Sequence, residues 1–247
     1  MTSPPGSEPA APPPTRLALA LAVVLGIGAM ACVLVAVPSP LFDLDRFAAP
    51  KEVALLVTAL VAGLLLLARA GEHAHLGITD TALAAFTGWS AVSVLLSTNR
   101  WIGLRALAIT AAGLVIHLAS RRAARDGAGP VLRAFLVVAL AAAALTGLAQ
   151  TYGVSLPLLA ESRAPGGTLG NRNFLAHLMA IGLPVAGLAL FEARGRIGAG
   201  LAAAALGLMT AVTVLSRSRA AWLGVLAALG AMGLAAAVAR GMHGPLA

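Results

Sequence analysis

Residues 131–191 read V-L-R-A-F-L-V-V-A-L-A-A-A-A-L-T-G-L-A-Q-T-Y-G-V-S-L-P-L-L-A-E-S-R-A-P-G-G-T-L-G-N-R-N-F-L-A-H-L-M-A-I-G-L-P-V-A-G-L-A-L-F, and their pattern decides the fold. Two apolar runs, Val131–Ala149 and Phe174–Phe191, flank the longest interior polar gap of the chain. Each run approaches the roughly 20 apolar residues with which a helix crosses a bilayer. Around the second junction, Arg163 to His177 reads R-A-P-G-G-T-L-G-N-R-N-F-L-A-H. Pro165 and the glycines Gly166, Gly167 and Gly170 keep this backbone irregular. Asn171 and Asn173 stand where the next helix should begin, and Asn is a favoured N-cap because its side-chain oxygen accepts from free helix N–H groups. A helix start carries partial positive charge, which suits an anion, and Arg163 and Arg172 add full charges. The stretch therefore reads as a site for a phosphate-bearing ligand at a membrane surface. The alternative is a capped loop between two spans with its arginines at the headgroups.

The same alternation extends over the whole chain. Apolar runs cover Leu17–Val37, Val53–Ala68, Thr79–Leu96, Trp101–Ala119, Val131–Ala149, Phe174–Phe191, Ile197–Leu215 and Ala220–Ala239. The expected fold is all-α, a polytopic transmembrane helix bundle of about eight spans. Composition agrees: 60% of the 247 residues are hydrophobic and 11% charged, where a soluble domain has about 25% charged residues. The second run is the shortest, and Lys51 and Arg69 at its ends are expected to snorkel to the interface. Ala, Gly and Leu dominate the runs, and small residues let membrane helices approach closely. Residues 1–15, rich in Pro, Ser and Ala, are expected to be a disordered tail. Only Arg16 precedes the first apolar run, which is long enough to span, so it reads as a retained helix rather than a signal peptide. The bundle is expected over 16–240, with 241–247 a short tail. The net charge of +8 is spread over short loops with 4% aromatic residues, which points to membrane-surface anchors and away from nucleic acid. The single cysteine, Cys32, excludes an intrachain disulfide and a cysteine-based metal site.

The densest basic loop, with Arg121, Arg122, Arg125 and Arg133, is placed in the cytoplasm by the positive-inside rule, and the N-terminus follows it. Nine of the basic residues then lie inside and eight outside, a split that a site for an anionic lipid-linked substrate on the outer side would produce, and so would a different helix count. Parity holds whatever the orientation. The odd-numbered connections 38–52, 97–100, 150–173 and 216–219 share one face, and they carry most of the polar chemistry.

Several residues are candidates for that chemistry. Arg100 and Arg105 lie about one helical turn apart at the start of the fourth run, either as phosphate ligands or as snorkelling anchors. Ser216-Arg217-Ser218-Arg219 separates two runs by a tight turn, and its arginines suit headgroup phosphates or a bidentate grip on pyrophosphate. His177 shares a helical face with Asn173, and His117 lies deep in the fourth run; each reads first as a hydrogen-bonded packing residue. Trp222 reads as an interfacial belt residue, and Asp43 and Asp45 as solvated charges. With no H-E-x-x-H, no Cys/His cluster and no P-loop, neither a metal nor another cofactor is expected.

Two motifs carry a family resemblance: R-x-x-G-G-T-L-G-N-x-N-F-L-A at 163–176 and L-S-R-S-R-A-A-W-L-G at 215–224. With Pro50-Lys51 and L-S-T-N at 96–99 in support, the chain resembles the bacterial O-antigen ligase and O-antigen polymerase superfamily. The family pattern often has Pro between the two asparagines, where Arg172 stands here. The resemblance implies a metal-independent membrane glycosyltransferase of the inner membrane. Such an enzyme moves a glycan from undecaprenyl pyrophosphate to an acceptor hydroxyl on the outer face. The acceptor is lipid A core for a ligase and another glycan for a polymerase. Arg163, Asn171, Asn173, Arg217, Arg219, Arg105 and Arg100 are then the pyrophosphate-binding candidates. No catalytic residue is assigned. The family's general base belongs to a large loop that would follow, so this sequence is expected to be roughly the N-terminal half of a member. A transporter or flippase-like subunit and an inactive membrane fragment are the competing readings.

Overall fold

The computed structural model describes residues 13–37, 45–68, 76–159 and 164–241. Most of the N-terminal tail, Asp43, Arg69, His73, His75, Arg163 and the C-terminal tail with His243 lie outside the described residues. In lipid, a segment's own N–H and C=O groups must pair with each other, so each apolar run coils into a helix. All eight runs lie on helices: α1 (Arg16–Leu34), α2 (Ala48–Leu67), α3 (Ile78–Leu95), α4 (Arg100–Ala123), α5 (Gly129–Thr151), α6 (Arg172–Phe191), α7 (Gly195–Ser216) and α8 (Arg219–Gly241). Among the described residues, six helical segments are long and apolar enough to cross a membrane. One of them, Arg100–Thr151, is 52 residues long and contains α4 and α5. Asp126 and Gly127 leave helical geometry between the two, Gly127 with φ +92°. The chain is thus a multi-pass helical membrane protein, and the apolar portion of α8, Arg219–Ala235, is shorter than the others.

Helix ends depart from the apolar runs in a systematic way. α2 starts at Ala48, five residues ahead of its run, because Pro50 is tolerated in a first turn. It is therefore 20 residues long and not a short span. The Lys51 Nζ donates to the carbonyl of Val35, just past the end of α1, where helix carbonyls lack helical partners. α4 runs on through Arg121 and Arg122, whose charges suit a helix C-terminus.

The chain forms two compact units, with α1 and α2 contributing to both. The first comprises Met1–Leu25 and Leu56–Leu132. Its core is small: Leu21, Ala22 and Leu25 meet Ala62, Ala119, Ala123 and Ala128. Here α3 and α4 form an antiparallel pair fastened by a buried carboxylate. Asp80, 2% exposed, sits in the first turn of α3. It accepts from the Gly77 N–H at 2.6 Å, lies 2.9 Å from His117 Nε2, and pairs with the Arg121 guanidinium. A carboxylate at such depth persists only when it is paired and hydrogen-bonded. His117 is accordingly a bonded packing residue.

The second unit comprises Gly26–Leu55 and Arg133–Ala247. Leu140, Leu175, Met179, Met209 and Val212 fill its centre. Gly147 faces Leu175 and Gly182 faces Leu140, so α5 and α6 run antiparallel. Gly182 also meets Met209 of α7, while Ala176 and Ala180 pack on Ala221 near the start of α8. The starts of α6 and α8 therefore lie at one end of this unit. At the opposite end, Arg133 pairs with Glu192.

Asp80→Ala should lower the unfolding free energy by about 3 kcal/mol, since it removes the carboxylate that the partly buried Arg121 guanidinium and the His117 ring both meet. Thermal unfolding in detergent should show the loss, with Asp80→Asn intermediate. An unchanged Tm for D80A would mean that the carboxylate does not hold α3 to α4.

Candidate functional site

The glycine-rich part of the gap between α5 and α6 is buried, whereas residues 152–158 ahead of it are exposed. Pro165, Gly166, Gly167 and Thr168 are all buried, and Thr168 is only 3% exposed. The last turns of α5 present Thr146, Gly147 and Gln150 to this segment. Gln150 Oε1 accepts from the N–H groups of both Gly166 and Gly167, at 2.7 and 2.9 Å. Thr168 Oγ1 donates to the Val33 carbonyl of α1 at 2.6 Å. Its N–H points at Thr146 Oγ1, 3.5 Å away.

The glycines serve close approach. Gly167 has φ +53°, and a Cβ there would lie 2.4 Å from Thr146 Oγ1. Gly170 has φ +73° and would press its Cβ to 2.5 Å from the Phe47 ring. A Cβ on Gly147 would meet Leu175 at 2.4 Å. The segment is wedged among the end of α1, the turn before α2 and the end of α5, as only residues without side chains permit.

After Gly170 the chain enters α6. Asn171 is its N-cap: Oδ1 accepts from the Asn173 N–H at 2.8 Å, and its carbonyl accepts from Leu175. Asn171 and Asn173 are exposed, and Arg172 is half-buried as the first helical residue. Four amides of the motif, those of Gly166, Gly167, Thr168 and Asn173, thus already have side-chain acceptors within the protein. His177 is exposed on α6.

The turn between α7 and α8 is built by its serines. Ser216 is fully buried; its hydroxyl donates to the Thr213 carbonyl at 2.7 Å and accepts from the Ser218 N–H at 3.2 Å. Arg217, the C-cap of α7, has φ 52° and ψ 28°, and it is the only non-glycine residue with positive φ among the described residues. A side chain in that region costs roughly 1–2 kcal/mol. Serines point in and arginines point out, since Arg217 and Arg219 are exposed.

Packing fixes the level of this turn. Ala176 with Ala221, and Ala180 with Gly224 and Val225, align α6 and α8 in parallel, so Arg217 falls near the level of Arg172. Asn171, Asn173, Arg217 and Arg219 therefore share one end of the second unit, together with the turn ahead of α2. Arg100 and Arg105 belong to α4 in the first unit and are exposed; Asn99 caps that helix by accepting from the Ile102 N–H at 3.2 Å. An apolar cavity of about 340 Å³ runs along the bundle from Thr213 and Trp222, one turn from the arginines, toward Phe191 at the far end of α6, lined also by Leu183, Leu206 and Leu229.

Among the described residues no cluster of three or more His, Cys, Asp or Glu side chains is assembled. Gln150, Thr146, Gly147 and Thr168 were not singled out from the sequence. Their signal is a Thr-Gly pair followed by Gln at one-turn spacing, where an apolar run ends facing a glycine-rich gap. Comparison with protein-family models, with curated proteins and with solved structures finds no match.

Gly167→Ala and Gly170→Ala should each lower the Tm measurably, because strained backbone and a close contact add at both sites. Gly207→Ala on α7, where an added Cβ meets nothing within 4 Å, should be neutral or slightly stabilising. Equal effects at all three sites would contradict the wedge.

Proposed function

We propose that the chain is the donor-binding part of a membrane glycosyltransferase of the O-antigen ligase kind. It would hold undecaprenyl pyrophosphate while the glycan passes to an acceptor hydroxyl such as that of lipid A core. The observation that supports this most is the shared end of the second unit. There the glycine-asparagine segment and the Ser-Arg-Ser-Arg turn meet one level of the bundle, and the turn accepts backbone strain at Arg217 to carry arginines outward. Non-glycine residues in that conformation cluster at functional sites.

In this reading the arginine turn and the first residue of α6, Arg172, face the two phosphates of the carrier. Guanidinium groups suit the site because they remain charged and present forked donors to phosphate oxygens. As the glycosyl bond to the diphosphate breaks, negative charge builds on the departing oxygen. Preplaced arginines stabilise that charge without a metal. The apolar cavity beginning at Thr213 and Trp222 suits a hydrocarbon chain lying along the bundle beside the same turn. Transfer to another glycan, as in a polymerase, needs the same donor grip and differs only in the acceptor. A transporter's charged groups belong near mid-membrane; Arg217 and Arg219 lie at a helix junction instead. The protein would sit in the bacterial inner membrane with this end outward and the N-terminus in the cytoplasm.

Arg217→Gly tests the reading cleanly, since glycine suits the left-handed backbone while the side chain is lost. The variant should fold as well as the parent and bind undecaprenyl pyrophosphate roughly tenfold more weakly. A cysteine at exposed Ser155 should react with an impermeant reagent from the outside of intact cells. Unchanged affinity in R217G, or labelling from the cytoplasmic side alone, would contradict the proposal.

A further inference from the structure

We infer that Gln150 is a positioning residue for the anion site, and that its neutrality is part of the design. The inference rests on the donor-binding reading above. One oxygen, Oε1, gathers two consecutive backbone N–H groups, those of Gly166 and Gly167, at 2.7 and 2.9 Å. Those residues lead directly into the turn Gly167–Leu169, the left-handed Gly170 and the Asn171 cap, and so fix where α6 begins and where Arg172 stands. Thr168 holds the far side of the same segment through the Val33 carbonyl. Buried amides without acceptors are costly, so removing the Gln150 oxygen should free the segment from α5.

A carboxylate would bind two N–H groups more strongly than an amide oxygen does. An amide stands there instead. At the same end of the unit as the proposed diphosphate site, a fixed negative charge would repel the ligand through a medium that screens poorly. A neutral acceptor fastens the turn without that penalty. A residue serving the fold alone has no such requirement, and Gln150→Glu separates the two roles.

The test compares the parent chain, Gln150→Leu and Gln150→Glu in lipid nanodiscs. Hydrogen exchange is followed over 164–170, and affinity is measured for undecaprenyl pyrophosphate, with undecaprenol as the uncharged control. Gln150→Leu should speed exchange at Gly166 and Gly167 and weaken pyrophosphate binding. Gln150→Glu should keep exchange slow, weaken undecaprenyl pyrophosphate about tenfold and leave undecaprenol unchanged. Slow exchange in Gln150→Leu would overturn the positioning role. Parental pyrophosphate affinity in Gln150→Glu would overturn the requirement for neutrality. If the parent chain binds no pyrophosphate lipid, the donor-binding reading and the neutrality requirement fall together, while the exchange data still decide whether Gln150 holds the turn.

Discussion

Within a membrane bundle, a backbone N–H or C=O that leaves helical geometry must find its partner in the protein. The segment 164–170 is where this constraint bears hardest on the second unit. Its first residues are buried and non-helical, and they sit against α1 and α5. The solution is local and polar: Gln150 takes two amides, Thr168 reaches the end of α1, and three close glycine contacts admit the chain. The end of α1 meets the same constraint, with Lys51 closing on the Val35 carbonyl. The cap of α6 inherits its position from these few bonds, and the packing of α6 on α8 carries that level to the start of α8.

The arginine turn shows the same economy. Ser216 and Ser218 settle the backbone of a junction that has almost no residues to spare, and this leaves Arg217 in a conformation that glycine would adopt without strain. A turn selected for stability alone would favour glycine there. The opposite end of the unit is tied by an ordinary ion pair, Arg133 with Glu192.

The helices were legible in the sequence because hydropathy over some 20 residues reports a helix in lipid directly. Of the four connections that parity places on one face, the structure brings together, within the second unit, the turn before α2, the start of α6 and the turn 216–219. The details escaped for physical reasons. The Lys51 contact escaped because a sequence does not show that the Val35 carbonyl lies across from it. The glycine-rich gap read as surface because polar composition is the usual mark of exposure; here the polarity is spent on α5 and α1, and Thr168 lies inside. Gln150 stands out little in the sequence, since its two partners lie 16 and 17 residues away. The exposure of Asn171, Arg217 and Arg219 likewise became visible only with the packing of α6 on α8.

A cryo-electron microscopy structure with undecaprenyl pyrophosphate bound in a nanodisc tests the central claim most directly. The predicted result is diphosphate density in contact with the Arg217 side chain and beside the start of α6, at the end where Gln150 holds the glycine turn. Diphosphate density at the opposite end, near Arg133 and Glu192, would contradict it.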